Sequence, residues 1–81
     1  MIERAELIHR RLGSELRAAR EEKGWTLDEV AEALNISAAT VSRRENGVTT
    51  MSIKALAAHC NLLECDPLEL LRWAIRWADA N

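Results

Sequence analysis

Thr26-Leu27-Asp28-Glu29-Val30-Ala31-Glu32-Ala33-Leu34-Asn35-Ile36-Ser37-Ala38-Ala39-Thr40-Val41-Ser42-Arg43-Arg44-Glu45-Asn46-Gly47 is the stretch that decides the fold. Thr26 followed by Glu29 forms a capping box: the hydroxyl can accept from one free amide while the carboxylate returns to another. Leu27, Val30, Ala31 and Leu34 then recur at helical spacing, so a short helix is expected from Thr26 to Leu34. Asn35 tolerates positive φ and can make a tight turn. Ser37 is a second N-cap, opening a helix that Asn46-Gly47 ends. The helix at 37–46 has few apolar positions (Ala38, Val41 and Ala39), so it buries a thin stripe and exposes the rest. Two short helices joined by such a turn make a rigid, angled pair.

Outward from this pair the chain stays helical. Ala5, Ile8, Leu12, Leu16 and Ala19 mark one face of a helix from near residue 3 to Lys23. Gly24 is its C-cap, and Gly13 is either the true helix start or a weak point. After the loop Val48-Thr49-Thr50, Ser52 caps a helix over Ile53, Leu56, Ala57 and Cys60. Asp66-Pro67 is an N-cap with proline at the first helical position, opening a last helix to near Ala78. Strand-favouring residues are scarce, Phe and Tyr are absent, and one Pro and three Gly interrupt the chain. We find no repeat, linker or low-complexity segment, so residues 1–81 read as one all-α, compact five-helix bundle.

Leu12-Gly13-Ser14-Glu15-Leu16-Arg17-Ala18-Ala19-Arg20, Gly24-Trp25-Thr26, Val30-Ala31, Asn35-Ile36-Ser37 and Thr40-Val41-Ser42-Arg43-Arg44-Glu45-Asn46-Gly47, in this order, resemble the Cro/lambda-repressor (XRE) helix-turn-helix family. The likeness continues faintly through Leu56, Ala57 and Pro67-Leu68-Glu69-Leu70-Leu71, covering about residues 12–71. It implies a lambda-repressor-like bundle with the helix-turn-helix at its second and third helices. It also implies a sequence-specific DNA-binding transcriptional regulator, a prokaryotic or phage repressor, whose helix at about 37–46 enters the major groove of double-stranded DNA. Base contacts are implied for Ser37, Ala38, Ala39, Ser42 and Arg43. Phosphate contacts are implied for Thr26, Thr40, Asn46, Thr49 and Thr50, and Arg17 and Lys54 join them by position and charge. Arg20 and Glu45 take the places of the family's structural ion pair and so are not base readers. The family often has an apolar residue at the Arg44 position; a charged one there is expected to reach a phosphate. Leu27 stands where the family usually has a phosphate-binding Gln. Alanine at 38 and 39 can touch a thymine methyl but makes no hydrogen bond, so direct readout leans on Arg43, whose guanidinium suits a bidentate contact to guanine.

The formal net charge is −2, which is unusual for a nucleic-acid binder, but its distribution is uneven. Residues 1–25 carry six bases and five acids, residues 26–36 carry three acids and no base, and residues 37–50 carry Arg43 and Arg44 against Glu45. One positive face is compatible with an acidic whole. The acidity, Leu27 and the paired alanines support an alternative reading: a protein-interaction module or antitoxin with weak or lost DNA binding.

The last helix is apolar on two faces: Leu68, Leu71, Ile75 and Ala78 on one; Leu70, Trp73, Ala74 and Trp77 on the other. The second face, with its two Trp, is expected to be a homodimer interface, the helix at about 67–78 serving for dimerisation, with a protein partner as another use of the same surface. His59, Cys60 and Cys65 supply only three donors and no C-x-x-C, so no metal is expected. Gly-rich phosphate loops, a nucleophile elbow and H-E-x-x-H are all absent, so neither an enzyme nor a cofactor is expected. No apolar run approaches the ~18 residues of a membrane span, and Met-Ile-Glu-Arg-Ala-Glu lacks an apolar signal-peptide core, so a cytoplasmic location is expected.

Overall fold

Capping chemistry sets the element boundaries in the computed structural model, which describes residues 2–81. The helices are α1 (Arg4–Glu22), α2 (Leu27–Leu34), α3 (Ala38–Glu45), α4 (Ile53–Leu63) and α5 (Pro67–Ala80). Both arms of the capping box at Thr26 are made: Thr26 Oγ1 accepts from the Glu29 amide at 3.1 Å, and Glu29 Oε1 accepts from the Thr26 amide at 2.8 Å. These bonds hold the Glu29 carboxyl below its usual range. Ser37, Ser52 and Asp66 each accept from an amide of the first turn that follows. The C-terminal ends of α2 and α4 use the left-handed region, at Asn35 (φ 56°) and Glu64 (φ 56°).

α1 is the element against which α3, α4 and α5 all pack. One core cluster joins Leu12 and Leu16 of α1 to Leu56 and Cys60 of α4 and Ala74 of α5. A second joins Val30 and Ala31 of α2, Val41 of α3 and Leu63 of α4, with Trp25 packed on its edge. Trp25 is thus a packing residue. Arg4 and Asp79 close the free ends of α1 and α5 with an Nε–Oδ1 bond of 2.7 Å.

Three expectations are corrected. Gly13 is neither the start of α1 nor a weak point. A Cβ there would lie 2.5 Å from the main-chain oxygens of both Arg44 and Glu45, so glycine lets the α1 and α3 backbones touch. On α4, Ile53 and Ala57 face outward, and the inward stripe is Leu56, His59, Cys60 and Leu63. On α5, the face expected to bind a second copy is largely used within the protomer. Ala74 is fully buried, Leu70 packs on the first core cluster, and half-buried Trp77 lies under Arg11, whose guanidinium carbon is 5.6 Å from the ring centroid. Only Trp73 of the expected four is exposed, and Leu68 on the other face is 68% exposed. The rotation follows from α1: alanines at 74 and 78 let α5 approach it closely, which turns Leu68, Leu71 and Ile75 outward.

Candidate nucleic-acid interface

The site is built on how α3 is held. Its inward residues are Val41, fully buried, and Glu45. Glu45 accepts two bonds from Arg20 of α1, Nε to Oε2 at 2.7 Å and Nη2 to Oε1 at 3.2 Å. Arg20 Nη1 also donates to the Trp25 carbonyl at 2.8 Å, tying the α1–α2 corner into the same network. Both charges are almost entirely withdrawn from water. The Glu45 carboxylate raises the Arg20 pKa further above its ordinary value, against the opposing effect of burial. A fork-shaped donor on a planar acceptor fixes direction as well as distance, so α3 has one orientation against α1.

A second tie runs from α3 to α4. Arg44 Nη1 lies 3.2 Å from His59 Nε2, and His59 is 1% exposed. A guanidinium only donates, so Nε2 accepts and the ring proton sits on Nδ1. Burial, with the Arg44 charge second, pushes the His59 pKa down to about 4, so the ring is neutral at pH 7. Arg44 is half-buried, with Nη1 of its guanidinium turned to α4. His59 was missed as a structural partner, although Leu56-His59-Cys60-Leu63 has the helical spacing of a buried stripe.

What α3 leaves outside is polar. Ser37, Ala39, Arg43 and Asn46 are exposed and Ser42 is half-buried. Ala38 is half-buried and packs on the second cluster. Ser37 Oγ accepts from the Thr40 amide at 3.0 Å, and the Ser37 and Thr40 hydroxyls are 2.8 Å apart. Arg43 Nη2 donates to Thr40 Oγ1 at 3.4 Å, a long bond that steadies the guanidinium and leaves its other donors free. Asn46 Nδ2 donates to the Ser42 carbonyl at 2.9 Å, which folds the amide over the helix end. Thr26, Thr49, Thr50 and Lys54 are all exposed around this helix, and half-buried Thr40 lies within it. Arg17 is exposed on α1, 3.8 Å from Glu21, and opens with Arg10, Asn46 and Thr50 onto a groove of about 740 Å³ between α1 and the α3–α4 loop. The acids Asp28, Glu29 and Glu32 are exposed on α2.

Among the described residues no group of three or more His, Cys, Asp or Glu is placed to hold a metal ion, and no helix is long and apolar enough to cross a membrane. Residues 11–73 match the family described as "Helix-turn-helix domain". No curated protein sequence matches the chain significantly. Two solved structures of the clp gene regulator ClgR from Corynebacterium glutamicum resemble it. One is 37% identical with a TM-score of 0.78, over 84% of this chain and 88% of that one. The other is 34% identical with a TM-score of 0.82, over 91% of this chain and 79% of that one. The likeness extends through all the elements that fix α3, and the family regulates transcription rather than catalysing a reaction. The chain is therefore a member of the XRE-like family of helix-turn-helix, DNA-binding transcriptional regulators.

Proposed function

We propose that this regulator reads a pseudo-palindromic operator as a homodimer, placing α3 in the major groove and acting as a repressor by occupying promoter DNA. The observation that carries the reading is the exposed Arg43 on a helix whose rotation is set by the buried Arg20–Glu45 pair. Arg43 is assigned a bidentate contact to guanine, with Ser37, Ala39 and Ser42 beside it at the base edges. Thr26, Thr40, Asn46, Thr49, Thr50, Lys54 and Arg17 are assigned to phosphates, which position the domain without reading sequence. The second copy is assigned to the outward face of α5, Leu68, Leu71 and Ile75. These form an almost wholly apolar surface flanked by Arg72 and Arg76. Along α5 the charges run from the N-cap Asp66 and first-turn Glu69 to Arg72 and Arg76, so an antiparallel copy brings Glu69 opposite arginine, while Asp79 beyond them is paired with Arg4.

The test is fluorescence anisotropy on DNA from upstream of the protein's own gene, at two salt concentrations, with Arg43→Ala beside the wild type. The wild type should prefer this DNA to a scrambled duplex, and the variant should lose about 5–150-fold of that preference, corresponding to the 1–3 kcal/mol of one bidentate base contact. Both proteins should lose affinity steeply with salt. Absence of binding to any duplex at low salt would sink the DNA reading and favour a protein-interaction module working through α5.

A further inference from the structure

The turn that ends α2 recurs at the end of α4. In each, a left-handed residue (Asn35 or Glu64) is followed by an amide that donates back to the carbonyl five residues earlier, Ile36 to Ala31 at 3.0 Å and Cys65 to Cys60 at 2.9 Å. This is the Schellman arrangement, in which the two side chains so joined make an apolar contact. At α2 the contact is filled by Ala31 and Ile36. At α4 the corresponding positions are two thiols, and Cys65 packs against the core cluster that contains Cys60. We propose that Cys60 and Cys65 are a thiol-modification site that closes to an intramolecular disulfide on reaction with a small disulfide, locking the turn from which α5 starts.

The geometry permits the bond. A carbonyl and an amide 2.9 Å apart hold their Cα atoms within about 7 Å by bond lengths alone, inside the reach of a disulfide. The two thiols divide the chemistry. Cys65 is half-buried and opens onto a surface cleft, whereas Cys60 is 1% exposed, and burial pushes its pKa up to about 12. Cys65 therefore attacks first. Its thiolate, having lost its proton to solvent, displaces one thiolate from the small disulfide and forms a mixed disulfide. Cys60 then attacks the Cys65 sulfur, the second small thiolate leaves, and the Cys60 proton goes with it. The balance is two protein thiols and one small disulfide giving one protein disulfide and two small thiols. The cleft is rimmed by Glu15, Glu22, Glu64, Asp66 and Glu69, so a cationic reagent is favoured over an anionic one. Cys65 touches both core clusters, so the bond would tie together the two halves of the core as well as the turn.

The experiment treats the folded protein with cystamine, a disulfide carrying two ammonium groups, and follows intact mass, free thiols and melting temperature. The expected product is a monomer lighter by two hydrogens (about 2 Da). Both cysteines should resist alkylation, and dithiothreitol should restore them. Closing so short a ring should raise the melting temperature by about 5–15 °C. Cys60→Ser should stop at a stable mixed disulfide on Cys65, and Cys65→Ser should not react while folded. A lasting adduct on Cys65 of the wild type, a disulfide-linked dimer, or thiols left untouched in the folded protein would each overturn the proposal. The wild-type readouts decide it even if a variant fails to fold, and none depends on how α3 meets DNA.

Discussion

α3 and α5 are both amphipathic helices of one small domain, and they leave opposite chemistry outside. α3 buries Val41 and Glu45 and presents Ala39, Arg43 and Asn46. α5 buries Ala74 and Ala78 and leaves Leu68 and Trp73 in contact with water, with Leu71 and Ile75 only half covered. An exposed guanidinium costs nothing in water and gains little there, so Arg43 acquires its energy only against a groove or a phosphate. An exposed apolar face loses about 25 cal/mol per Å² relative to burial, so the α5 face gains most from a protein surface. The means of fixation also differ. α3 is oriented by a buried ion pair, which is directional, whereas α5 is seated by alanines, which merely allow a close approach. The helix that must aim side chains has the directional restraint.

This contrast can be broken most severely at the ion pair. Glu45→Ala strands the Arg20 guanidinium without its carboxylate, and loss of one partner of a buried pair costs about 3–5 kcal/mol. For a domain of this size that is a fall of roughly 15–30 °C in melting temperature, read by circular dichroism. A fall of only a degree or two would mean that apolar packing alone orients α3.

The seam between α3 and α4 gives the next largest effect, through His59. Its pKa falls from 6.5 to about 4 on folding, by burial first and by the Arg44 charge second. Between those values the unfolded chain holds a proton that the folded chain rejects, so stability declines as the solution is acidified. The loss begins as pH drops through 6.5, is complete near 4, and amounts to about 3 kcal/mol. His59→Gln retains an acceptor for Arg44 but does not titrate. Urea midpoints at pH 7 and pH 4.5 should therefore converge in the variant far more than in the wild type; equal pH dependence in the two would show that the ring is open to water.

The smallest effect sharpens the α5 side. Leu71→Glu places a charge in the outward apolar face and should weaken self-association by about 10–100-fold, the scale of a central interface residue. The melting temperature of the dissociated protein should hardly move. Sedimentation across a concentration series reads the first and calorimetry on dilute protein the second. A wild type that is monomeric throughout would remove the twofold reading.

The local half of the fold was legible in the residues. Thr26 with Glu29, Asn35, Ser37, Ser52 and Asp66-Pro67 act through their own backbone within one turn, so the boundaries they mark agree with the helices found. Rotational phase was less legible. Ile53 and Ala57 looked inward by spacing along with Leu56 and Cys60, yet α4 turns His59 and Leu63 to the core in their place. Leu70, Trp73, Ala74 and Trp77 looked like a free face, yet only Trp73 is exposed. A helix apolar on two sides does not contain the information that picks between them, because the choice is made by the neighbour, here α1. The Arg20–Glu45 pair was expected from the family resemblance and is present at 2.7 Å. The Arg44–His59 contact was not, because it joins residues with no shared motif.

Gly13 sets a limit of another kind. At Gly13 main chain lies directly on main chain, so no side chain at that point sets the spacing of α1 and α3, and the Arg20–Glu45 pair beside it fixes the direction. Inheritance can therefore act on Ala39, Ser42 or Arg43 without also disturbing the angle at which they are offered. Exchanging those few external residues should therefore change what the domain recognises while its scaffold stays constant.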